Sequence, residues 1–170
     1  SFAAGAYNRA SGTGATAIGF HNMAGPSDSD MNSISIGDIG HTAFGYGTIA
    51  SGNAAFSAGY STEASGYYST AMGYQSTASG ESSTALGQYT EASGNFSTAT
   101  GRQTIASGNY SVTMGYNTTA SADYSIAMGY NTTASNESST AMGYDTTASG
   151  LRSTAMGSST TASGDYSTAM

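Results

Sequence analysis

The chain has 170 residues, a net charge of −7 and no cysteine, and only 8% of its residues are charged. Typical globular domains carry about 25% charged residues. Three arginines and no lysine argue against binding to nucleic acid phosphates or to an anionic membrane surface. The absence of cysteine excludes disulfides and thiolate zinc sites, and no apolar run is long enough to span a bilayer.

The first 44 residues follow a seven-residue glycine step only loosely. Gly5, Gly12 and Gly19 keep the step, but the phase is lost over 21–32. Inserted segments in solenoids emerge on one face and often carry function. We therefore predict irregular coils over 1–44 with a loop insertion at 21–32.

Two kinds of possible metal ligand lie near this insertion. Asp28, Asp30 and Asp38 could offer oxygen ligands to Ca²⁺, but their spacing lacks the pattern and the bidentate Glu of an EF-hand. His21 and His41 show no metal-binding spacing. We favour a solvated acidic loop and structural or solvated histidines, with no metal and no cofactor.

From residue 45 onward, glycine recurs every fourteen residues without interruption. The first series is Gly45, Gly59, Gly73, Gly87, Gly101, Gly115, Gly129, Gly143 and Gly157. A second series, seven residues out of phase, is Gly52, Gly66, Gly80, Gly94, Gly108, Gly150 and Gly164, with Ala122 and Asn136 at the two remaining positions. A fixed period of this kind indicates a repeat architecture.

Each repeat contains two short alternations of small and apolar residues, and each alternation is closed by glycine. Period-2 alternation predicts strands, and glycine every seven residues argues against helix. We predict two four-residue strands and two glycine turns per repeat. The fold class is therefore all-β, a parallel β-solenoid with 14 residues per coil. Nine coils over 45–170 would extend about 43 Å at about 4.8 Å per coil.

An alanine column and a neighbouring methionine column must point to opposite faces of their strand. If alanine fills the coil, the methionine column is an outward apolar stripe that needs a partner. We favour this arrangement and predict self-association through the stripe; methionine inside and alanine outside is the alternative. The predicted interface is Met72, Leu86, Met114, Met128, Met142 and Met156, with Thr100 interrupting the column.

Tyrosine follows the first glycine in many coils. Tyr74, Tyr116, Tyr130 and Tyr144 form a candidate adhesive surface, because tyrosine is favoured in binding faces. The alternative is that these rings stack and only stiffen the solenoid. A second aromatic column precedes the strand serine at Tyr68, Phe96, Tyr110, Tyr124 and Tyr166.

A threonine column offers a further possible surface, because regular threonine arrays on flat solenoids can order water and bind ice. Alanine stands two residues after each threonine, where such arrays usually have a second threonine. The plainer interpretation is a ladder of hydroxyl contacts. The column is Thr48, Thr62, Thr90, Thr104, Thr118, Thr132, Thr146 and Thr160, with Ser76.

The repeated unit resembles the YadA-like head of trimeric autotransporter adhesins. Ser125–Gly129 and Ser139–Gly143 carry the resemblance, with Thr where the family has Val and Met where it has Ile. The resemblance implies a left-handed β-roll and three chains about one axis. It also implies display at the cell surface beyond the outer membrane, and attachment to host matrix proteins or other cells.

No catalytic pattern such as G-x-S-x-G is visible, so we expect a non-enzymatic cell-surface adhesin head. The alternatives are a structural spike or tail-fibre segment and, third, an ice-binding solenoid. We expect a piece of a longer protein, whose anchor and stalk lie elsewhere. This segment itself is not expected to insert into a membrane.

Overall fold

The chain winds into coils that each contain one longer and one very short β-strand. The structure is a computed structural model that describes residues 1–25 and 40–170, and these residues form only strands, turns and bends. The predicted all-β parallel solenoid with 14 residues per coil is confirmed.

The strands are listed here in chain order. The first twelve are β1 Phe2–Ala6, β2 Arg9–Ala10, β3 Thr16–Phe20, β4 Met23–Ala24, β5 Thr42–Tyr46, β6 Ile49–Ala50, β7 Phe56–Tyr60, β8 Glu63–Ala64, β9 Thr70–Tyr74, β10 Thr77–Ala78, β11 Thr84–Gln88 and β12 Glu91–Ala92. The remaining strands are β13 Thr98–Arg102, β14 Ile105–Ala106, β15 Val112–Tyr116, β16 Thr119–Ala120, β17 Ile126–Tyr130, β18 Thr133–Ala134, β19 Thr140–Tyr144, β20 Thr147–Ala148, β21 Thr154–Ser158, β22 Thr161–Ala162 and β23 Thr168–Ala169.

The odd-numbered strands form one parallel sheet of twelve strands, and the even-numbered strands form a second of eleven strands within the described residues. Neighbouring strands pair without slippage, so that Ala85 lies beside Ala71 and Ala99. Between β3 and β5 the step is longer, because Thr16 pairs with Thr42. Equivalent residues therefore form straight columns along both sheets.

The N-terminal coils share this register, which corrects the start of the predicted insertion. Met23 in β4 pairs with Ile49 in β6, so residues 21–25 belong to a regular coil. Residues 26–39 lie outside the described residues, and with them the rest of the predicted insertion and all three aspartates considered as metal ligands.

The interior of each repeating coil receives four small side chains. In the coil that begins at Ser69, these are Ser69, Ala71, Ser76 and Ala78, and all four are fully buried. Alanine therefore points inward and the methionine column outward, which is the arrangement favoured from the sequence. Among the fully buried side chains of residues 1–25 and 40–170, only His41 and Asn22 are larger than threonine.

The strand lengths differ from the prediction of two four-residue strands. The longer strand has five residues and the shorter has two, as in β9 and β10. The short strand ends because successive amides, those of Ser79 and Gly80, donate to the same Ala92 carbonyl at 3.0 and 3.3 Å. Two donors converging on one acceptor turn the chain and end the ladder.

The first glycine series has positive φ angles, as predicted for tight bends, for example Gly73 (φ 119°). From residue 55 onward, each coil also has two non-glycine residues in the left-handed region, such as Gln75 (φ 50°) and Ser82 (φ 53°). The second glycine series permits close approach between coils. A Cβ on Gly80 would lie 2.1 Å from the carbonyl oxygen of Gly94, which no side chain can occupy.

Replacing Gly94 with alanine should therefore destabilise the solenoid, while Gly164→Ala should be tolerated. A Cβ on Gly94 would lie 2.0 Å from the Gly108 oxygen, whereas the nearest atom to one on Gly164 is Ser167 Cβ at 3.6 Å. We expect Gly94→Ala to cost about 1–3 kcal/mol. Gly164→Ala should change stability by less than about 1 kcal/mol. Urea unfolding followed by circular dichroism measures both, and equal midpoints for the two variants would contradict the steric argument.

Candidate adhesive surface

The coil has two corners, and each carries a column of aromatic rings. The first corner follows the longer strand, for example at Tyr130 and Asn131. The second corner follows the shorter strand, for example at Asp123 and Tyr124. Both corners place a residue in the left-handed region, Asn131 (φ 55°) and Tyr124 (φ 60°). The aromatic rings therefore stand outside the coil interior.

The first corner carries two separate tyrosine stacks. Tyr116, Tyr130 and Tyr144 stack with ring centroids 5.1 and 5.0 Å apart and planes within 13°. Tyr74 belongs to a different stack, with Tyr60 at 5.1 Å. The structure thus brings three of the four predicted adhesive tyrosines together and places Tyr74 apart from them.

Gln88 and Arg102 occupy the same column between the two stacks. The Arg102 guanidinium lies 5.5 Å from the centroid of the Tyr116 ring and caps that end of the stack. Such a cation–π contact contributes about 0.5–1 kcal/mol at an exposed site. The first corner therefore presents two tyrosine surfaces rather than one continuous strip.

Tyr74 ends its stack against Tyr89, whose ring meets it edge-on at 5.4 Å. The hydrogen bond with Tyr89, together with the charge repulsion between the two phenolates, raises the pKa of Tyr74 above its ordinary value.

A polar ladder runs beside the C-terminal tyrosine stack. Asn117 Nδ2 donates to Asn131 Oδ1 at 2.7 Å, and Asn131 Nδ2 donates to Asp145 Oδ1 at 2.5 Å. These bonds fix three exposed side chains next to three exposed or half-buried rings. Rigid tyrosines beside hydrogen-bonding amides are the combination that antibody paratopes use.

The second corner carries a comparable strip, which was noted in the sequence only as a second aromatic column. Phe96, Tyr110 and Tyr124 stack with centroids 5.0 and 5.2 Å apart and planes within 5°. Asn109 donates from its backbone amide to Asp123 Oδ1 at 2.8 Å. We call this set the second-corner strip: Asn95, Phe96, Asn109, Tyr110, Asp123 and Tyr124.

The methionine column lies on the outer face of the twelve-stranded sheet. Met72 is 42% exposed and Met114 is 49% exposed, and the other members are half-buried. Val112 and Ile126 lie on the same face, two residues before Met114 and Met128 of the column. Thr100 interrupts the column between Leu86 and Met114. The predicted interface residues otherwise form one outward apolar stripe: Met72, Leu86, Met114, Met128, Met142 and Met156.

The repeat matches the family model described as the YadA head domain repeat. The matched residues are 1–22, 64–90, 92–118, 106–132, 120–146, 134–160 and 148–170, well over half of the chain. The chain belongs to the YadA head family. This family comprises head domains of surface-exposed trimeric autotransporter adhesins that are anchored in the outer membrane. A search of curated proteins found no match to the chain.

In this YadA head, the threonine column considered for ice binding lies inside the coil. Thr48, Thr104 and Thr118 are fully buried, so the column cannot contact ice. The first corner shifts the alternation by one residue, because Gln75 adopts a left-handed conformation between Ala71 and Ser76. Each threonine thereby faces inward with the alanine two residues after it, as Thr48 does with Ala50, and the ice-binding alternative is excluded.

The two histidines of this YadA head have structural surroundings. His41 is fully buried and its Nδ1 lies 2.6 Å from the Gly52 carbonyl oxygen. His21 stacks on Phe20 at 4.5 Å and meets Tyr7 edge-on. Among residues 1–25 and 40–170, no three His, Cys, Asp or Glu side chains come together as a metal site.

The described part of the chain contains no helix that is long and apolar enough to cross a membrane.

Stacking predicts a stability difference between two tyrosines of this head. Tyr130 stacks on both neighbours, whereas no ring contact involves the exposed Tyr67 in the described part of the chain. Tyr130→Leu should cost about 1–3 kcal/mol, since each aromatic pair contributes about 0.5–1.5 kcal/mol. Tyr67→Leu should cost less than about 0.5 kcal/mol. The midpoints of urea unfolding measure both changes in stability. An equal loss of stability in the two variants would show that the stack adds none.

Proposed function

We propose that this chain is a non-enzymatic adhesin head that works as a homotrimer on the outer surface of a cell. Three copies pack their methionine-bearing sheets around one axis, and each copy presents its tyrosine stacks outward. The ligand is an extracellular matrix protein or a molecule on another cell. The observation that carries this proposal is the outward apolar stripe on a chain of the YadA head family.

The stripe needs a partner because the coil buries so little apolar surface by itself. Its interior holds alanine, serine and threonine, whereas the larger apolar side chains stand outside. Continuous exposed apolar patches mark interaction sites. Each methionine is already about half-buried in the single chain, so covering the rest of it in a trimer would contribute about 1 kcal/mol. A column of them supports a stable assembly.

The stacked tyrosines of the first corner supply the candidate adhesive contacts. Tyr116, Tyr130 and Tyr144 repeat at about 5 Å and are held in place by stacking. Rigid groups lose little conformational entropy on binding. A trimer would present three copies of the surface, and simultaneous engagement multiplies weak contacts into avidity.

A structural spike or tail-fibre segment is the alternative function. It would use the same trimer and the same methionine interface but would have no dedicated ligand. The exposed tyrosine stack flanked by an amide ladder favours the adhesin, because stiffening of the coil does not require the hydrogen-bonding side chains of Asn117 and Asn131.

Charge on the methionine stripe should abolish the trimer. We expect the parent chain to have the mass of three chains at every concentration of a dilution series. The double variant Met128→Asp, Met142→Asp should have the mass of one chain, because the carboxylates would be buried without partners. Multi-angle light scattering measures both masses.

The matched control places the same charges on the other sheet of the same coils. Thr133→Asp with Thr147→Asp alters two half-buried residues on the outer face of the eleven-stranded sheet. This variant should remain trimeric. A parent chain that stays monomeric, or a trimer that survives the methionine substitutions, would refute the proposed interface.

Adhesion should depend on the C-terminal tyrosine stack. We expect the triple variant Tyr116→Leu, Tyr130→Leu, Tyr144→Leu to bind a panel of immobilised matrix proteins and cultured cells at least about tenfold more weakly than the parent. The control variant Tyr67→Leu should bind like the parent. Unchanged binding by a folded, trimeric triple variant would exclude this stack as the adhesive surface.

A further inference from the structure

The second-corner strip combines three stacked aromatic rings with three side chains that carry amide or carboxylate groups. We propose that this strip binds a linear, uncharged, β-linked glycan. The site lies beyond the adhesive role proposed for the first corner, and its residues belong to the opposite corner of the coil.

Neither the core nor the backbone explains the aromatic residues of the strip. Phe96, Tyr110 and Tyr124 are 46, 49 and 55% exposed. Their φ angles of 57–60° lie in the left-handed region, which favours glycine, asparagine and aspartate over large side chains. In the flanking coils, Ser82 and Ser138 meet the same backbone requirement. Stacking stabilises these rings, but the two serines show that the coil does not require them, so the exposed rings are available to a ligand.

The polar half of the strip is held in a defined geometry. Asn95 donates its backbone amide to Asn109 Oδ1 at 3.0 Å, and Asn109 Nδ2 donates to Asp123 Oδ2 at 3.3 Å. Amide and carboxylate groups offer more hydrogen-bonding positions than these contacts use. A sugar needs both halves of the strip, because its hydroxyls require donors and acceptors and its C–H surface packs against aromatic rings.

The spacing of the aromatic rings along the strip matches the repeat distance of a glycan better than that of a peptide. The ring centroids are 5.0 and 5.2 Å apart, close to the advance per sugar in a β-1,4-linked hexopyranose chain. Successive sugars would therefore contact successive aromatic rings. A β-strand advances about 3.3 Å per residue and a polyproline helix about 3.1 Å, so that a peptide lying along the strip would lose step with the rungs.

The charges around the strip favour an uncharged ligand. Asp123 lies within the strip, while Glu81 and Glu137 occupy the equivalent position in the flanking coils. The chain as a whole has a net charge of −7. Sulfated or uronate-rich polymers would be repelled by this field.

The position of the strip is compatible with the proposed trimer. Tyr124 precedes Met128 by four residues and lies at the corner away from Tyr130. A partner that covers the methionine column therefore does not need to cover the strip.

The test is retention of the full chain on insoluble cellulose and chitin, which are neutral β-1,4-linked polymers, with insoluble starch as the α-linked comparison. We expect retention on both β-linked polymers, release by soluble cellohexaose, and at least about tenfold weaker retention on starch. Heparin beads and an immobilised proline-rich peptide represent polyanionic glycans and extended peptides.

Two matched variants locate the site. Tyr110→Leu removes the middle rung of the strip and should weaken retention about tenfold, which corresponds to about 1.4 kcal/mol. Tyr130→Leu removes the middle rung of the first-corner stack and should leave retention unchanged. Tyr124→Leu, at the end of the strip, provides a second variant if Tyr110→Leu does not fold by circular dichroism.

Three results would overturn the glycan site. The first is no retention of the parent on either β-linked polymer, and the second is stronger retention on heparin or the peptide. The third is an equal loss for the Tyr110 and Tyr130 variants. Failure of the proposed adhesin function would appear separately, as unchanged matrix attachment of the first-corner triple variant.

Discussion

The two sheets of the coil lie so close together that the space between them accepts little more than a methyl or hydroxymethyl group. Columns of alanine, serine and threonine fill it, and their side chains are almost completely buried. A core of this kind cannot supply the large apolar burial that stabilises most domains. The coil therefore depends on its inter-coil backbone hydrogen bonds, such as Thr84 to Ser97 at 2.9 Å, and on contacts made by its outer faces.

The hydroxyl groups of this interior add a further demand. Ser69 Oγ donates to the Gly66 carbonyl at 2.7 Å, but the hydroxyls of Ser83, Thr90 and Ser97 have no hydrogen-bond partner within the described chain. A buried polar group without a partner costs about 1–3 kcal/mol. Stacking of the corner rings offsets part of such costs, and coverage of the methionine stripe in the proposed trimer would offset more. The outer surface is therefore part of the stability of the fold.

The fourteen-residue period, the parallel stacking and the inward alanine column could all be predicted from the sequence, because strict repetition forces equivalent residues into register. The sequence leaves the side of the threonine column open between an outward ice-binding array and a ladder of hydroxyl contacts, and its burial places it inside. The bend at the left-handed residue Gln75, which changes which residues of the repeat face inward, could not be derived from local alternation. The second-corner strip was also missed as a site, because its polar ladder depends on contacts between residues fourteen apart, such as Asn109 and Asp123. Tyr74 and Tyr116 occupy equivalent positions, but Gln88 and Arg102 separate their stacks.

The step from Thr16 to Thr42 shows how the solenoid accommodates additional chain. The second coil runs regularly to Gly25, and the described chain resumes at Gly40, whose amide donates to the Thr13 carbonyl at 2.9 Å. The strands before and after this longer step pair in the same register as the other strands of the solenoid. Because each coil contacts only its neighbours, a longer connection at the second corner leaves every other coil unchanged. Such corners are natural places for evolution, or for protein engineering, to graft peptides onto a rigid surface without redesigning the scaffold.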